Sequence, residues 1–242
     1  MDVATPAEIS IELSEASDAL KSLGIVLDDK PIHDAAQQVL GSRAGFWHYQ
    51  VAQLLIEVGG AGLKYFPTHL TSGGITHCRL DMTVLGFEST SDDDHDPLKH
   101  NDVQIFLSRT VGAKTYSAAW HFDAQGNRGA SHCIHPRYHL TFGGRQLNPQ
   151  LATDNGKHQI SNLMLLDSPR LAHPPMDLLL AVDFVLSHFA GPKWASARQD
   201  AEYKRLLRVS QRRLWNPYFA ATSKVCAGGA NAWSPSPWPQ LV

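Results

Sequence analysis

Four histidines lie within nineteen residues of a chain that has 242 residues and thirteen histidines in all: His121, His132, His135 and His139. Histidine changes its charge near neutral pH, so such a cluster could transfer protons, bind a metal or contact an anion. The sequence around the cluster alternates between apolar and polar side chains, which predicts strands over 115–123 and 131–142. The pairing of these strands decides which of the side chains lie together.

One register of this predicted hairpin collects the large apolar side chains on a single face, namely Trp120, Phe122, Ile134, Tyr138 and Leu140. The register has a three-residue turn, Gly126-Asn127-Arg128, and places His121 opposite Cys133 and Asp123 opposite Ser131. The other face then carries the polar side chains of both strands: His121, Asp123, Cys133, His135, Arg137 and His139.

A transition metal such as zinc is one ligand for this face, because imidazole and thiolate are its usual donors. The candidate ligands are His121, Cys133 and His135, which are neighbours in the predicted register. His139 is four residues from His135, or about 13 Å along a strand, which is too far to share an ion. Pro136 predicts an edge, an end or a bulge, so the register beyond it stays open.

An anion or phosphodiester is the second candidate ligand, bound by His135, Arg137 and His139. Histidine would act as general acid or base, and the guanidinium would stabilise negative charge. Arg170 and His173, in a proline-rich segment before the next helix, would extend this catalytic set. The third interpretation is that all these side chains only form hydrogen bonds on a polar sheet face.

The N-terminal third is predicted to be helical. Thr5 and Glu8 form the capping box of a first helix, which Gly24 ends. Two further helices are predicted over 31–40 and 46–58. In the last of these, the apolar side chains that share a helical face are Trp47, Val51, Leu54, Leu55 and Val58.

An antiparallel sheet is predicted next, because the hydrophobic period changes to two at His77 and the connections are short. Its strands are predicted over 77–84, 103–109, 115–123, 131–142 and 163–167. The acidic run 92–96 is expected to be a solvated loop between strands.

Two C-terminal helices follow, over 176–189 and 197–215. The first is apolar nearly all round, which predicts deep burial, and Asp183 within it should pair with a basic residue. The predicted fold class is therefore α+β, with a helical N-terminal third, a mainly antiparallel sheet of about five strands, and two C-terminal helices of which one is buried.

The composition is that of a globular protein, with 43% hydrophobic and 18% charged residues. We predict a single domain over 1–222 and a flexible tail over 223–242, which contains Pro, Gly, Ser and Trp. The N-terminus lacks a signal-peptide pattern, no apolar run reaches about 20 residues, and the three cysteines are odd in number. These features favour a cytoplasmic protein without disulfide bonds.

The last predicted helix has a local excess of positive charge, although the whole chain has a net charge of −2. A nucleic acid or an acidic protein partner would fit this surface, and a solvated helix face is the alternative. The basic residues are Arg198, Lys204, Arg205, Arg208, Arg212 and Arg213.

Three segments resemble a family of bacterial domains of unknown function. They are His-Pro-Arg-Tyr-His-Leu at 135–140, the proline-containing segment at 170–177 and Phe-Val-Leu-Ser-His-Phe at 184–189. In that family a His-Pro-x-x-His-Leu strand precedes a proline-containing segment and a helix that ends in Phe-Ile/Val-Leu-x-x-Phe. The resemblance covers about a quarter of the chain, and it implies a bacterial cytoplasmic protein with no settled activity.

Two hypotheses for function result. In the first, the chain is a binding or accessory protein that presents a His/Arg-rich sheet face to an anionic ligand or a protein partner. In the second, it is a nuclease-like phosphodiester hydrolase that depends on a metal or on histidine. The common catalytic and phosphate-binding motifs are absent from the sequence, which weakens the case for an enzyme.

Overall fold

Within the residues that the structure describes, six strands form one antiparallel sheet, and each strand pairs with the next in chain order. They are β1 Phe46–Glu57, β2 His77–Phe87, β3 Leu98–Val111, β4 Lys114–Ala124, β5 Tyr138–Phe142 and β6 Leu171–Ala172. The coordinates are a computed structural model that describes residues 4–59, 77–88, 95–111, 114–124, 136–143, 170–229, 233 and 237. The predicted α+β class is confirmed, whereas the predicted strand over 163–167 lies outside the described residues.

Two helices precede the sheet, α1 over Pro6–Ser22 and α2 over Lys30–Leu40. The capping box of α1 is present as predicted: Glu8 N donates to Thr5 Oγ1 at 3.2 Å, and Thr5 N donates to Glu8 Oε2 at 2.9 Å. Gly24 follows α1 with a φ of +61°, a left-handed conformation that favours glycine and turns the chain toward α2.

The prediction of a helix over 46–58 is wrong, because this segment is strand β1. Its buried side chains are Trp47, Tyr49, Val51, Leu54, Ile56 and Val58, whereas Leu55 is 46% exposed. A β-bulge between Val51 and Leu54 adds one residue, and Gln53 within it has a φ of 56°. The added residue changes one spacing of two into a spacing of three, between Val51 and Leu54, and this spacing imitates a helix.

The first C-terminal helix, α3 over Leu178–Phe189, is buried as predicted. Asp183 within it pairs with Arg198, as predicted, with Nη2 and Oδ2 2.6 Å apart. The same carboxylate accepts hydrogen bonds from Trp194 Nε1 at 3.1 Å and from the Tyr203 hydroxyl at 3.0 Å. This network joins α3 to the helices that follow it.

The prediction of one helix over 197–215 is wrong at both ends. The structure instead has α4 over Gly191–Ala197, α5 over Ala201–Ser210, a π-helical turn over Gln211–Trp215 and α6 over Asn216–Cys226. Asp200 caps α5 by accepting from Tyr203 N at 2.8 Å, which fixes its start. Pro217 does not end the helical segment, because it lies in the first turn of α6, where a missing N–H costs little.

The predicted tail over 223–242 shares its first four residues with α6. Further along it, the Trp233 ring is buried and lies 6.1 Å from the Tyr138 ring and 6.3 Å from the Tyr218 ring. The single-domain boundary itself stays a prediction.

The sheet has an inner face against α3 and an outer face on its other side. On the inner face, the Phe184 ring lies 4.9 Å from Phe122 and the Phe189 ring lies 4.9 Å from Trp120. Side chains alternate between the faces along each strand, so the cross-strand neighbours Thr83, Asp102, Asp123 and His139 lie on the outer face. None of the described helices combines the length and apolarity needed to cross a membrane.

Candidate ligand-binding face of the sheet

The pairing of β4 with β5 differs from the predicted register. Asp123 lies opposite His139 rather than Ser131, a displacement of eight residues along the second strand. An even displacement leaves every side chain on its predicted face, so His121 and His139 both lie on the outer face, as expected. Residues 131–135 lie outside the described residues, and Pro136 and Arg137 precede β5 instead of belonging to it.

Asp96 accounts for where β5 begins. Arg137 Nε donates to Asp96 Oδ2 at 2.5 Å, Arg137 Nη2 donates to Leu98 O at 2.6 Å, and the Tyr138 hydroxyl also donates to Asp96. Asp96 is therefore not part of a solvated loop, contrary to the prediction. Arg137 is buried in the fold, and Asp96 offsets its charge there.

Four ionisable side chains of the outer face form a row across β3, β4 and β5, here called the carboxylate–histidine row. The row consists of Asp102, His121, Asp123 and His139. His121 Nε2 lies 3.1 Å from Asp102 Oδ1, and His121 Nδ1 lies 3.6 Å from Asp123 Oδ2. His139 Nε2 lies 2.6 Å from Asp123 Oδ1. Each histidine thus has a carboxylate as a partner.

The histidines shift the acidity of both carboxyl groups in the row. Burial alone would raise the pKa of Asp102, but the hydrogen bond and charge of His121 lower it below the ordinary 3.8. The pKa of Asp123 is also lowered, because His139 and His121 outweigh burial and the repulsion from Asp102. Both groups are therefore carboxylates at neutral pH, and they make this part of the outer face unfavourable for an anion.

The predicted metal ligands are His121, Cys133 and His135, of which only His121 belongs to the described residues. Within those residues, no group of three or more His, Cys, Asp and Glu side chains could hold a metal ion. The predicted zinc site therefore stays a prediction that depends on Cys133 and His135.

The predicted catalytic residues do not come together where the structure describes them. His173 lies on the inner face, 4.8 Å from the Phe122 ring, and its Nδ1 is 2.7 Å from Pro174 O. Burial lowers the pKa of His173, which favours the neutral ring. Arg170 is exposed beside β6. His139 lies on the outer face, which is the opposite face of the sheet from His173. His135 lies outside the described residues.

Three of the six basic residues predicted to bind a partner form ion pairs within the described residues. Arg198 pairs with Asp183, Arg205 with Glu15 and Glu202, and Arg213 with Glu12 and Asp177. The other three, Lys204, Arg208 and Arg212, have no ion pair among the described residues.

A depression of about 300 Å³ lies toward the β1 end of the sheet, where α2, the turn after it, β1, β2 and β3 supply its lining. We call it the cationic depression, because its lining includes three basic side chains: Arg43, His48 and Lys99. The other lining residues are Gln38, Gly41, Ser42, Phe46 and Leu85. Among the described residues of this lining there is no carboxylate.

Local backbone features position the basic side chains of the depression. After α2, Ser42 Oγ accepts from His48 N at 2.9 Å, which fixes the turn that carries Arg43. A bulge pairs Leu85 with His100 and the next residue of β2 with Leu98, so Lys99 is left without a partner in the ladder. The Lys99 ammonium lies 5.0 Å from the centre of the Phe46 ring.

The sequence could not indicate this site, because its three basic side chains come from the turn after α2, from β1 and from β3. Each is a single exposed basic residue with no motif around it. Because residues 46–58 are predicted to be a helix, the sequence also provides no indication that Phe46 and His48 share the outer face of a strand.

Comparisons of the chain with models of protein families, with curated proteins and with solved structures found no match. The resemblance to bacterial domains of unknown function therefore stays an expectation.

Proposed function

We propose that the protein is a binding protein for an anionic ligand and that the ligand binds in the cationic depression. The observation that carries the proposal is the set of three basic side chains around one depression, Arg43, His48 and Lys99, with no carboxylate in its described lining. The proposed ligand is an anion, as predicted, but the proposed site is the cationic depression instead of the histidine cluster.

Charge balance favours the depression over the carboxylate–histidine row. Neither Arg43 nor Lys99 forms an ion pair with a described residue, whereas the row contains two carboxylates. A guanidinium can donate two parallel hydrogen bonds to a phosphate or carboxylate, and an ammonium adds a compact charge. A concave surface also excludes part of the water that would screen these charges.

Calorimetric titration of the full chain with inorganic phosphate tests this proposal. We expect saturable binding that weakens as salt is added, and the double variant Arg43→Ala, Lys99→Ala should lower the affinity at least about tenfold. The matched control is Lys204→Ala with Arg208→Ala, which removes two cations from the other surface predicted to bind an acidic partner. If the control lowers phosphate affinity as much as the first variant, the site is on the C-terminal helices and the proposal is wrong.

Hydrolysis of a phosphodiester is the second candidate function. The contact of His121 with Asp102 favours it, whereas the two carboxylates of the row repel an anionic substrate, so this function ranks below binding in the cationic depression. A carboxylate that orients an imidazole and stabilises its charge is a common device of general base catalysis. We expect turnover of bis(4-nitrophenyl) phosphate to be lost in His121→Ala and strongly reduced in Asp102→Asn. Unchanged turnover in both variants would show that the row is not the catalytic group.

A further inference from the structure

We propose that the ligand of the cationic depression is a phosphate ester of a planar ring, such as a nucleoside monophosphate. This inference rests on the proposed function and adds the chemical class of the ligand. It depends on one arrangement, the contact between the Lys99 ammonium and the Phe46 ring inside the depression.

The lining of the depression combines basic and apolar side chains. Arg43 and His48 provide basic groups, while the Phe46 ring and the Leu85 side chain, which pairs with His48 across the strands, provide apolar surface. Phe87 pairs with Phe46 across the strands, with ring centres 5.4 Å apart and planes inclined by 43°. A ligand with only a phosphate would leave the apolar lining residues without a contact.

Lys99 is the basic side chain that contacts the apolar part of the lining. Its ammonium lies over the Phe46 ring, 5.0 Å from the centre, and at an exposed position such a cation–π contact is weak. A phosphate held by Arg43 would attract the ammonium more strongly than the ring does. The movement of Lys99 would uncover a face of Phe46, on which a planar group attached to the phosphate can stack.

The size of the depression limits the ligand to a small molecule. A volume of about 300 Å³ is at the lower end of the range of small-molecule sites and suits one ring with one phosphate. Gln38 and Ser42 in the lining add an amide and a hydroxyl group, which could contact a sugar or the edge of a base.

Calorimetric titration of the full chain with five compounds tests the inference: AMP, phenyl phosphate, ribose 5-phosphate, inorganic phosphate and adenosine. We expect AMP and phenyl phosphate to bind at least tenfold more tightly than ribose 5-phosphate or inorganic phosphate. Adenosine should bind more weakly than AMP by a similar factor, because the phosphate anchors the ligand. If AMP and phenyl phosphate both bind more tightly than inorganic phosphate by the same factor, the ligand class is any phosphate ester of a planar ring. If only AMP binds more tightly, the ligand class is nucleotides.

Phe46→Leu keeps an apolar side chain and removes the ring, so it should reduce the advantage of AMP over ribose 5-phosphate to less than twofold. Its affinity for inorganic phosphate should not change. Phe219→Leu is the matched control, because Phe219 is an exposed phenylalanine on α6 and its loss should leave the AMP advantage intact.

Two negative results are distinguishable. If AMP and phenyl phosphate bind no more tightly than inorganic phosphate to the unmodified chain, the inference is overturned and the proposed function stands. If none of the five compounds binds, both fail. The first comparison needs no variant, so a folding defect in Phe46→Leu would not leave the question open.

Discussion

His139 Nε2 lies 2.6 Å from Asp123 Oδ1, at directly opposite positions of β4 and β5. His139 is 3% exposed in this contact, whereas the Asp123 side chain is 32% exposed. A cross-strand pair of this kind stabilises the sheet at the point where β5 joins it. It also gives Asp123 a measurable effect on stability.

Asp123→Asn should lower the free energy of unfolding by about 1–2 kcal/mol at pH 7, because the carboxylate contact with His139 is lost. The pKa of Asp123 lies below its ordinary 3.8 in the folded state, so the unfolded chain binds this proton more readily. Its stabilisation is therefore complete above about pH 4 and is lost as the pH falls further. Urea unfolding of both proteins at pH 7, 4 and 3 measures the effect. A difference between them that grows toward pH 3 would contradict the assignment.

Asp96→Ala should destabilise the fold by about 3 kcal/mol, because Arg137 would be left buried without its counter-charge. The Arg137 side chain is 5% exposed, so solvent cannot replace the carboxylate. Tyr138→Phe is the control: it removes one hydrogen bond to Asp96, keeps the ion pair, and should cost about 1 kcal/mol. Chemical unfolding monitored by circular dichroism compares the two variants. Similar losses for both would mean that the ion pair contributes little.

Gly86→Ala should destabilise the protein by about 2–3 kcal/mol, because a Cβ at this position would overlap the Trp47 indole ring. The ring cannot easily move, since it is 1% exposed and its Nε1 donates to Phe87 O at 3.1 Å. Gly41→Ala is the control, because its Cβ would meet only Gln38 O at an ordinary 3.5 Å and should change stability by less than about 0.5 kcal/mol. Thermal unfolding of both variants distinguishes the effect of the overlap with Trp47 from the general effect of replacing a glycine with alanine.

Local signals allowed the helices α1 and α3 to be predicted from the sequence. The capping box at Thr5 and the apolar run over α3 each lie within one segment, so no distant contact is needed to recognise them. The β1 strand could not be recognised in this way, because the bulge at Gln53 rearranges its apolar positions.

The outer face could be predicted, but the partners on it could not. Alternation along β4 and β5 assigns His121 and His139 to one face whatever the register. Their carboxylate partner Asp102 lies on β3, and the sequence contains no signal that joins it to His121. The cationic depression escaped prediction for the same reason, because residues from separate segments form it.

The anchor at Asp96 also determines how accurately the sheet aligns when it forms. A slip of β5 by one residue would turn its apolar side chains away from the core, so burial alone prevents it. A slip by two residues keeps every side chain on its proper face, and burial hardly distinguishes it from the correct alignment. The bonds from Arg137 and Tyr138 to Asp96 occur at one alignment only. The contacts of Asp96 thus select the correct register of β5 over a two-residue slip, which the burial of apolar side chains does not exclude.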